Sequence, residues 1–285
     1  MSTTTTTTTT PRNTYGLGYE ASQVQHHEWR TAENSTAYLL PHLRRAVEQN
    51  PGLRVLDVGA GSGTISASLA AYLPEGELVA TDISEAILER ARAHAAARGV
   101  RNVTFRAADA YALPFADASF DVVHAHQVLC HLSAPVDALR EMLRVTRPGG
   151  LVAVRESDMR MWCFWPETPA LERFHRLAVD VMLANGGQDK GGRQLVSWVL
   201  DAGVKRDDVE ASFGTWCYST PEDRRAWGEA MIGRLKEGRM RSKALETGLA
   251  TEEEIEEMVK AWEEWIRTDS ATLGIMNGEV VVKKA

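Results

Sequence analysis

Arg54-Val55-Leu56-Asp57-Val58-Gly59-Ala60-Gly61-Ser62-Gly63-Thr64 is the stretch that decides the fold. A mostly apolar strand runs into a glycine-rich elbow, and a helix is predicted to begin near Ser62. Glycine has no Cβ, so the backbone there turns sharply and lets a ligand approach closely. The first N–H groups of the following helix, at its positive dipole end, face whatever polar group docks there. Downstream, Glu77-Leu78-Val79-Ala80-Thr81-Asp82 reads as a second short strand ending in an acid. A carboxylate at that distance suits hydrogen bonds from ribose hydroxyls. Elbow and acid together point to a nucleoside-cofactor site.

Three more segments extend the pattern. Residues 103–110 read as a strand ending in Asp109-Ala110, residues 119–126 as an apolar strand ending in His126, and residues 143–154 as a further strand entered through Pro148-Gly149-Gly150. Between the second and third strands, Ile87, Leu88, Ala91 and Ala95 form one stripe of a helix that starts at Ser84-Glu85 and stops at Gly99. Strands alternating with such helices imply parallel pairing with right-handed crossovers. In open α/β sheets the ligand lies beyond the carboxyl ends of the strands. Gly59, Asp82, Asp109 and His126 all fall at such ends.

The glycine spacing is G-x-G-x-G, not the G-x-G-x-x-G of dinucleotide enzymes, which disfavours a dehydrogenase. Over roughly residues 28–156 the motif series resembles the class I S-adenosylmethionine-dependent methyltransferases, and within them is similar to the ubiquinone/menaquinone C-methyltransferase-like group. The resemblance implies an α/β Rossmann-like fold with a seven-stranded, mostly parallel sheet and a helical cap insertion. It implies S-adenosyl-L-methionine as cofactor and a small-molecule methyl acceptor. Gly59, Ala60, Gly61 and Ser62 would line the methionyl part, with Asp57 orienting the loop and reaching the amine. Asp82 would hold the ribose, Ile83 would pack on the adenine face, and Asp109-Ala110 would meet the adenine edge. His126 and Gln127 would frame the cofactor and the pocket floor.

Composition sets limits around this reading. The chain has 285 residues and a formal charge of −7, which argues against a general nucleic-acid binder. Three widely spaced cysteines suggest neither a disulfide framework nor a zinc site. No apolar run reaches the length of about 18–20 residues that spans a bilayer, and the N-terminus lacks a signal-peptide pattern. A cytoplasmic enzyme with no membrane partner and no metal is the expectation. The domain plan is a disordered threonine-rich tail at 1–12, an N-terminal helical arm at 13–50, a core at 51–220, a helical cap at 221–275 and a last core strand at 276–285. The arm places Trp29, Ala32, Thr36, Leu39, Leu40 and Leu43 at helical spacing, with Pro41 dividing it. The cap carries the stripe Ile255, Met258, Val259, Trp262, Trp265 and Ile266. Its arginines Arg224, Arg225, Arg234, Arg239 and Arg241 alternate with glutamates and read as a solvated face.

Methyl transfer requires alignment of acceptor and donor, exclusion of water and, for some acceptors, removal of a proton. His131, in Val128-Leu129-Cys130-His131-Leu132-Ser133, is the candidate base, since imidazole titrates near neutrality. The segment is similar to that of phosphoethanolamine methyltransferases, where such a histidine pairs with an N-terminal tyrosine. Tyr19 or Tyr15 would supply that partner here. The alternative is a histidine that only closes the loop. In the arm, Arg30 suits a fork onto the methionine carboxylate, and Trp29 either shields the sulfonium or anchors the helix. Asp158, Trp162 and Trp165 are the candidate acceptor-binding residues, from an aromatic stretch expected to follow the fifth strand. A cofactor-binding regulatory protein without turnover is the alternative from another class.

Overall fold

The computed structural model describes residues 27–285. The threonine-rich tail, Tyr15 and Tyr19 lie outside the described residues. Among the described residues the arm contains a short turn of helix, α1 (Ala32–Ser35), followed by α2 (Leu40–Gln49), with Pro41 at the start of α2 where its missing N–H costs nothing. The alternating unit follows as β1 (Arg54–Val58), α3 (Thr64–Ala70), β2 (Glu77–Asp82), α4 (Glu85–Ala97), β3 (Val103–Ala107), β4 (Phe120–His126), α5 (Pro135–Val145) and β5 (Thr146–Trp165). Then come α6 (Pro169–Ala184), α7 (Gly191–Asp201), β6 (Val209–Tyr218), α8 (Pro221–Lys236), α9 (Arg239–Glu246), α10 (Glu252–Arg267) and β7 (Thr272–Lys283).

The strands form one seven-stranded sheet in the order β3-β2-β1-β4-β5-β7-β6. The first five pair in parallel, and β7 runs antiparallel to both β5 and β6. Central strands covered on both faces are expected to be continuously apolar. β4 is buried at every position and β1 at all but its first. Alternation divides each strand between two layers. Leu56, Val58, Val123, Ala125, Val152 and Val154 pack on one face with Leu139, Met142 and Trp198. Val55, Val122 and Ala153 pack on the other with Leu39, Leu43, Ile65 and Leu69.

Register is what makes the site. Val58 pairs with Thr81 on one side and with Ala125 on the other. The next residues in each strand are therefore the elbow, Asp82 and His126, side by side at one edge of the sheet.

The anticipated stripe of α4 is buried in full, as are Ile255, Met258, Val259, Trp262 and Trp265 of α10. Helices α8 to α10 lie between β6 and β7 in the chain and share a core with α6 built on Phe174, Trp227, Met231, Trp262 and Trp265. Some bounds differ from expectation. The elbow helix starts at Thr64, with Gly63 ahead of it in the left-handed region at φ 74°. β7 begins at Thr272, ahead of the expected start at residue 276. β5 does not stop near residue 154 but continues to Trp165, its later half pairing with β7 at Trp162↔Ile275 and Trp165↔Thr272. The aromatic stretch is thus strand, not loop.

Candidate active site

The elbow is shaped by three left-handed glycines, Gly59 (φ 71°), Gly61 (φ 55°) and Gly63 (φ 74°). At Gly59 a Cβ would lie 2.4 Å from Val128 Cγ2, so no side chain fits there. At Gly61 a Cβ would meet nothing within 4 Å, because the backbone faces an open cavity. The Ala60 N–H donates to the Thr81 carbonyl at 2.8 Å and the Gly61 N–H to Asp82 Oδ2 at 3.0 Å. Asp82 Oδ1 accepts the Ser84 N–H at 3.0 Å. One carboxylate therefore ties the elbow to the end of β2. Below it Asp57, 2% exposed, accepts from Ser66 Oγ at 2.5 Å and pairs with His124 Nδ1 at 2.8 Å. It braces the elbow from beneath while still lining the cavity.

The cavity continues from this edge toward the cap. Its wall includes His27 and Arg30 of the arm, residues 57–62 of β1 and the elbow, Asp82, Ile83, Ala108, Ala110 and residues 126–128. The other half of the wall comes from Trp162 of β5, Phe174, Ala178, Val181 and Met182 of α6, and Trp227, Met231 and Arg234 of α8. His131 lies in the same wall.

Of the residues singled out in the sequence, Arg30, Asp57, Gly59, Ala60, Gly61, Ser62, Asp82, Ile83, Ala110, His126, Gln127, His131 and Trp162 line this one cavity. Four others within the described residues do not. Asp109 turns its carboxylate back to the Tyr111 N–H at 2.9 Å, an Asx turn at the strand end. Trp29 sits edge-on to Trp216 at 5.3 Å and to Tyr218 at 5.8 Å, where it anchors the arm. Asp158 is fully buried and grips the Arg193 guanidinium through Nε at 2.6 Å and Nη2 at 2.8 Å. Trp165 is 58% exposed. It stands three positions from Trp162 on a strand whose side chains alternate, so the two rings leave on opposite faces.

Several wall residues escaped the sequence reading. Phe174, Val181 and Met182 look like an ordinary apolar helix stripe, and only tertiary packing turns part of that stripe toward a cavity. Arg234 was grouped with a solvated arginine face, yet it lines the wall. Arg224 of the same group is buried and donates to the carbonyls of Ser219 and Asp269, at 2.9 Å each, locking the cap's ends together.

The histidine loop has its own anchor. Glu156, at the end of the parallel part of β5, is fully buried. Its Oε1 accepts the N–H groups of Val128 at 3.0 Å and Leu129 at 2.8 Å, and its Oε2 that of Cys130 at 3.1 Å. Burial pushes its carboxyl pKa up, and these donors oppose that. Gln127 enters the loop at φ 53°, rare for a residue with a side chain. It is held by its N–H to the Arg155 carbonyl at 2.8 Å and its amide to Asn277 Oδ1 at 3.1 Å.

Burial governs the titration of the histidines on this side of the cavity. Burial, with the Arg234 and Arg30 guanidiniums, lowers the His131 pKa to about 4. Burial and the same Arg30, with Arg155, push His126 well below its ordinary value. Arg30 and Arg155 also lie over the Trp216 ring, at 4.8 Å and 4.9 Å from its centroid. The Trp216 indole N–H donates to the Asn34 carbonyl at 3.0 Å, so the arm is docked on β6. Among the described residues no helix is long and apolar enough to cross a membrane.

Comparison with known proteins accords with this geometry. A family model described as a methyltransferase domain matches residues 49–193. An uncharacterised methyltransferase of Schizosaccharomyces pombe is 31% identical over 277 residues, covering 95% of this chain and 96% of that protein. A ubiquinone/menaquinone biosynthesis C-methyltransferase of Ectopseudomonas mendocina is 44% identical, but over 108 residues only, 37% of this chain and 42% of that protein. Among solved structures, a phosphoethanolamine N-methyltransferase of Haemonchus contortus in complex with S-adenosyl-L-methionine superposes with a TM-score of 0.55 at 18% identity, over 92% of this chain and 57% of that one. At that identity the likeness concerns the fold.

Proposed function

Since this chain belongs to the methyltransferase-domain family, we propose that it moves the methyl group of S-adenosylmethionine to a small organic acceptor held under its cap. The observation that carries this reading is the convergence of elbow, acid and cap on one cavity. The left-handed elbow exposes bare backbone at Gly61, and the half-buried to buried wall around it ends in the Asp82 carboxylate.

The residues present fit the cofactor. Asp82 holds the Gly61 and Ser84 N–H groups and lines the cavity, where a carboxylate suits ribose hydroxyls. Ile83 is 48% exposed, an apolar face for a purine ring beside Ala108 and Ala110. Gly59 to Ser62 leave room for the methionyl chain, and Arg30 brings a guanidinium to the wall for its carboxylate. In this reading Asp109 shapes the adenine loop through its turn with Tyr111, and its neighbour Ala110 supplies the contact. When bound, the cofactor supplies a methyl group on a positively charged sulfur, open to in-line attack.

The chain's own part is alignment and the handling of water. The aromatic and methionine wall of α6 and α8 excludes solvent from the acceptor, which strengthens every charge interaction inside. Glu156 holds the loop that carries His131, the candidate base, whose imidazole is neutral at physiological pH. Trp162 joins the acceptor wall, while Asp158 and Trp165 act on the fold instead. The quinone-precursor reading rests on a match to under half of each chain and carries no information about the acceptor.

Calorimetry with S-adenosylmethionine and its demethylated product tests the proposal. Binding of both in the micromolar range, with methyl release over an acceptor panel, is the expected outcome. Binding without turnover on any acceptor would favour the regulatory reading, and preferential binding of a nicotinamide dinucleotide would overturn both.

A further inference from the structure

We propose that the acceptor is a flat aromatic molecule without positive charge, held in a corner that Trp162 and Trp227 form at the cap end of the cavity. The inference rests on the methyl-transfer reading and adds to it the chemical class of the acceptor.

The corner is made of rings that other rings hold still. Trp162 of β5 and Trp227 of α8 both line the cavity, their centroids 5.6 Å apart and their planes at 69°. One face of Trp162 is taken by the His175 imidazole, stacked at 5.5 Å and only 6° from parallel. His175 is itself tied through Nε2 to the Met159 carbonyl. Trp227 lies against the Tyr218 ring at 4.5 Å, tilted by 33°. His175 and Tyr218 stand behind the wall, so each indole turns its other face or an edge toward the cavity. Phe174 lines the same end and is fixed edge-on to Trp262 at 5.1 Å.

Aromatic rings favour offset stacking or edge-to-face contact. With two indoles at 69°, a flat guest stacked on one meets the other near the edge-to-face angle. A single pose satisfies both. A saturated guest of the same size buries similar area but has no ring quadrupole to match. Met182, Met231 and Met240 border the same space with thioethers, which pack well at ring edges. Trp227, Met231 and Met240 line the cavity yet are only 5%, 0% and 3% exposed, so it narrows here. A narrow slot takes a planar molecule more readily than a puckered one.

The same wall disfavours two other classes. A sugar or a polyol would leave its hydroxyls unpaired among these side chains, at a cost for each. Indole faces also attract quaternary ammonium groups, but a buried cation is costly without a counter-charge. Among the described residues the carboxylates in the cavity wall are Asp57 and Asp82, both at the elbow. Asp57 is engaged there by Ser66 and His124, and Asp82 by Gly61 and Ser84. The cap end of the wall contributes none.

The probe is 2-naphthol, titrated by calorimetry into the full-length protein saturated with S-adenosylhomocysteine. Its saturated counterpart, decahydro-2-naphthol, has the same carbon skeleton and hydroxyl without the flat ring system. 2-Naphthol is expected to bind about tenfold more tightly or better, the combined effect of two ring contacts. Trp162→Leu keeps an apolar side chain and should bring that ratio below about threefold, whereas Trp162→Phe should keep most of it. S-adenosylhomocysteine affinity should stay unchanged in both variants. Choline, offered as the competing cation, is expected not to displace 2-naphthol. Equal binding of the saturated compound, a ratio untouched by Trp162→Leu, or displacement by choline would each overturn the proposal. Failure of the parent protein to bind S-adenosylhomocysteine at all would instead remove the methyl-transfer reading beneath it.

Discussion

Glu156 holds Leu129: its Oε1 accepts the Leu129 backbone N–H at 2.8 Å from across two elements, with no exposure of either residue to solvent. The neighbouring N–H groups of Val128 and Cys130 complete the contact, so one carboxylate at the end of the parallel part of β5 sets the path of the turn that ends at His131. Tight turns of this kind leave backbone donors pointing inward, and a buried donor without an acceptor is costly.

Replacing Glu156 by Ala strands three buried N–H groups. Loss of stability of about 3 kcal/mol or more is expected, since each unsatisfied donor costs about 1–3 kcal/mol and not all of these costs add. Glu156→Gln keeps one carbonyl acceptor and should cost less. Chemical denaturation measures the first effect. Turnover in Glu156→Gln measures the second, which should fall while S-adenosylmethionine affinity changes little. Unchanged turnover in a folded Glu156→Gln protein would limit the residue to a purely structural part.

Asp82 has two duties, holding the elbow and facing the cavity. Asp82→Asn retains an oxygen for Gly61 or Ser84 but loses charge, and Asp82→Ala loses both. Cofactor affinity should drop about ten- to a hundredfold in the alanine variant, in line with the loss of one or two hydrogen bonds to a charged acceptor. Calorimetry reads this directly, and retained far-ultraviolet circular dichroism would exclude unfolding as the cause.

The elbow and Asp82 were legible in the sequence because their geometry is local: glycines force the turn, and parallel register then brings neighbouring strand ends together. Parallel pairing of the first five strands followed from the same alternation, and the full seven-stranded sheet from the family resemblance. The cap's contribution was not legible. Phe174 and Met231 carry the same apolar periodicity whether a helix face meets another helix or a ligand. Arg234 was hidden among glutamates, and nothing local distinguishes it from the exposed Arg225. Asp158 misled for a different reason. A carboxylate beside a predicted binding loop invites a functional role, and its partner Arg193 lies on α7, in a helix whose packing the sequence does not reveal. The same distance effect governs His131, where the loop motif suggested a near-neutral base and burial under the fold, with guanidiniums from α8 and the arm, changed its character.

Trp162 and Trp165 provide a test of the strand assignment. With β5 extended through both, Trp162 lines the cavity and Trp165 points outward, where it is 58% exposed. Trp162→Ala should weaken acceptor binding and also reduce stability by about 3 kcal/mol, the usual range for loss of a large packed aromatic. Trp165→Ala should leave acceptor KM unchanged and cost less stability. Steady-state kinetics and thermal melts of the two variants distinguish this arrangement from the one expected in the sequence, in which both rings would bind the acceptor.

The depressed pKa of His131 yields a prediction with a definite sign. Its value in the fold is about 4, against an ordinary 6.5. The unfolded chain therefore binds more protons than the folded one between these values, so stability attributable to this residue is present above pH 6.5 and is lost as the pH falls toward 4. The loss should be about 2 kcal/mol, somewhat under the full linkage value because the residue is only partly shielded from solvent. His126, also depressed by burial, loses stability in the same direction. Comparison with His131→Gln isolates the one contribution: the difference in unfolding free energy between parent and variant should shrink between pH 6.5 and 4. Arg234→Gln should shrink that loss and bring its lower end to a higher pH, because removing the neighbouring cation makes the folded-state imidazole easier to protonate. A parent and variant whose stabilities fall in parallel across this window would show that His131 keeps its ordinary pKa, against the burial that lowers it here.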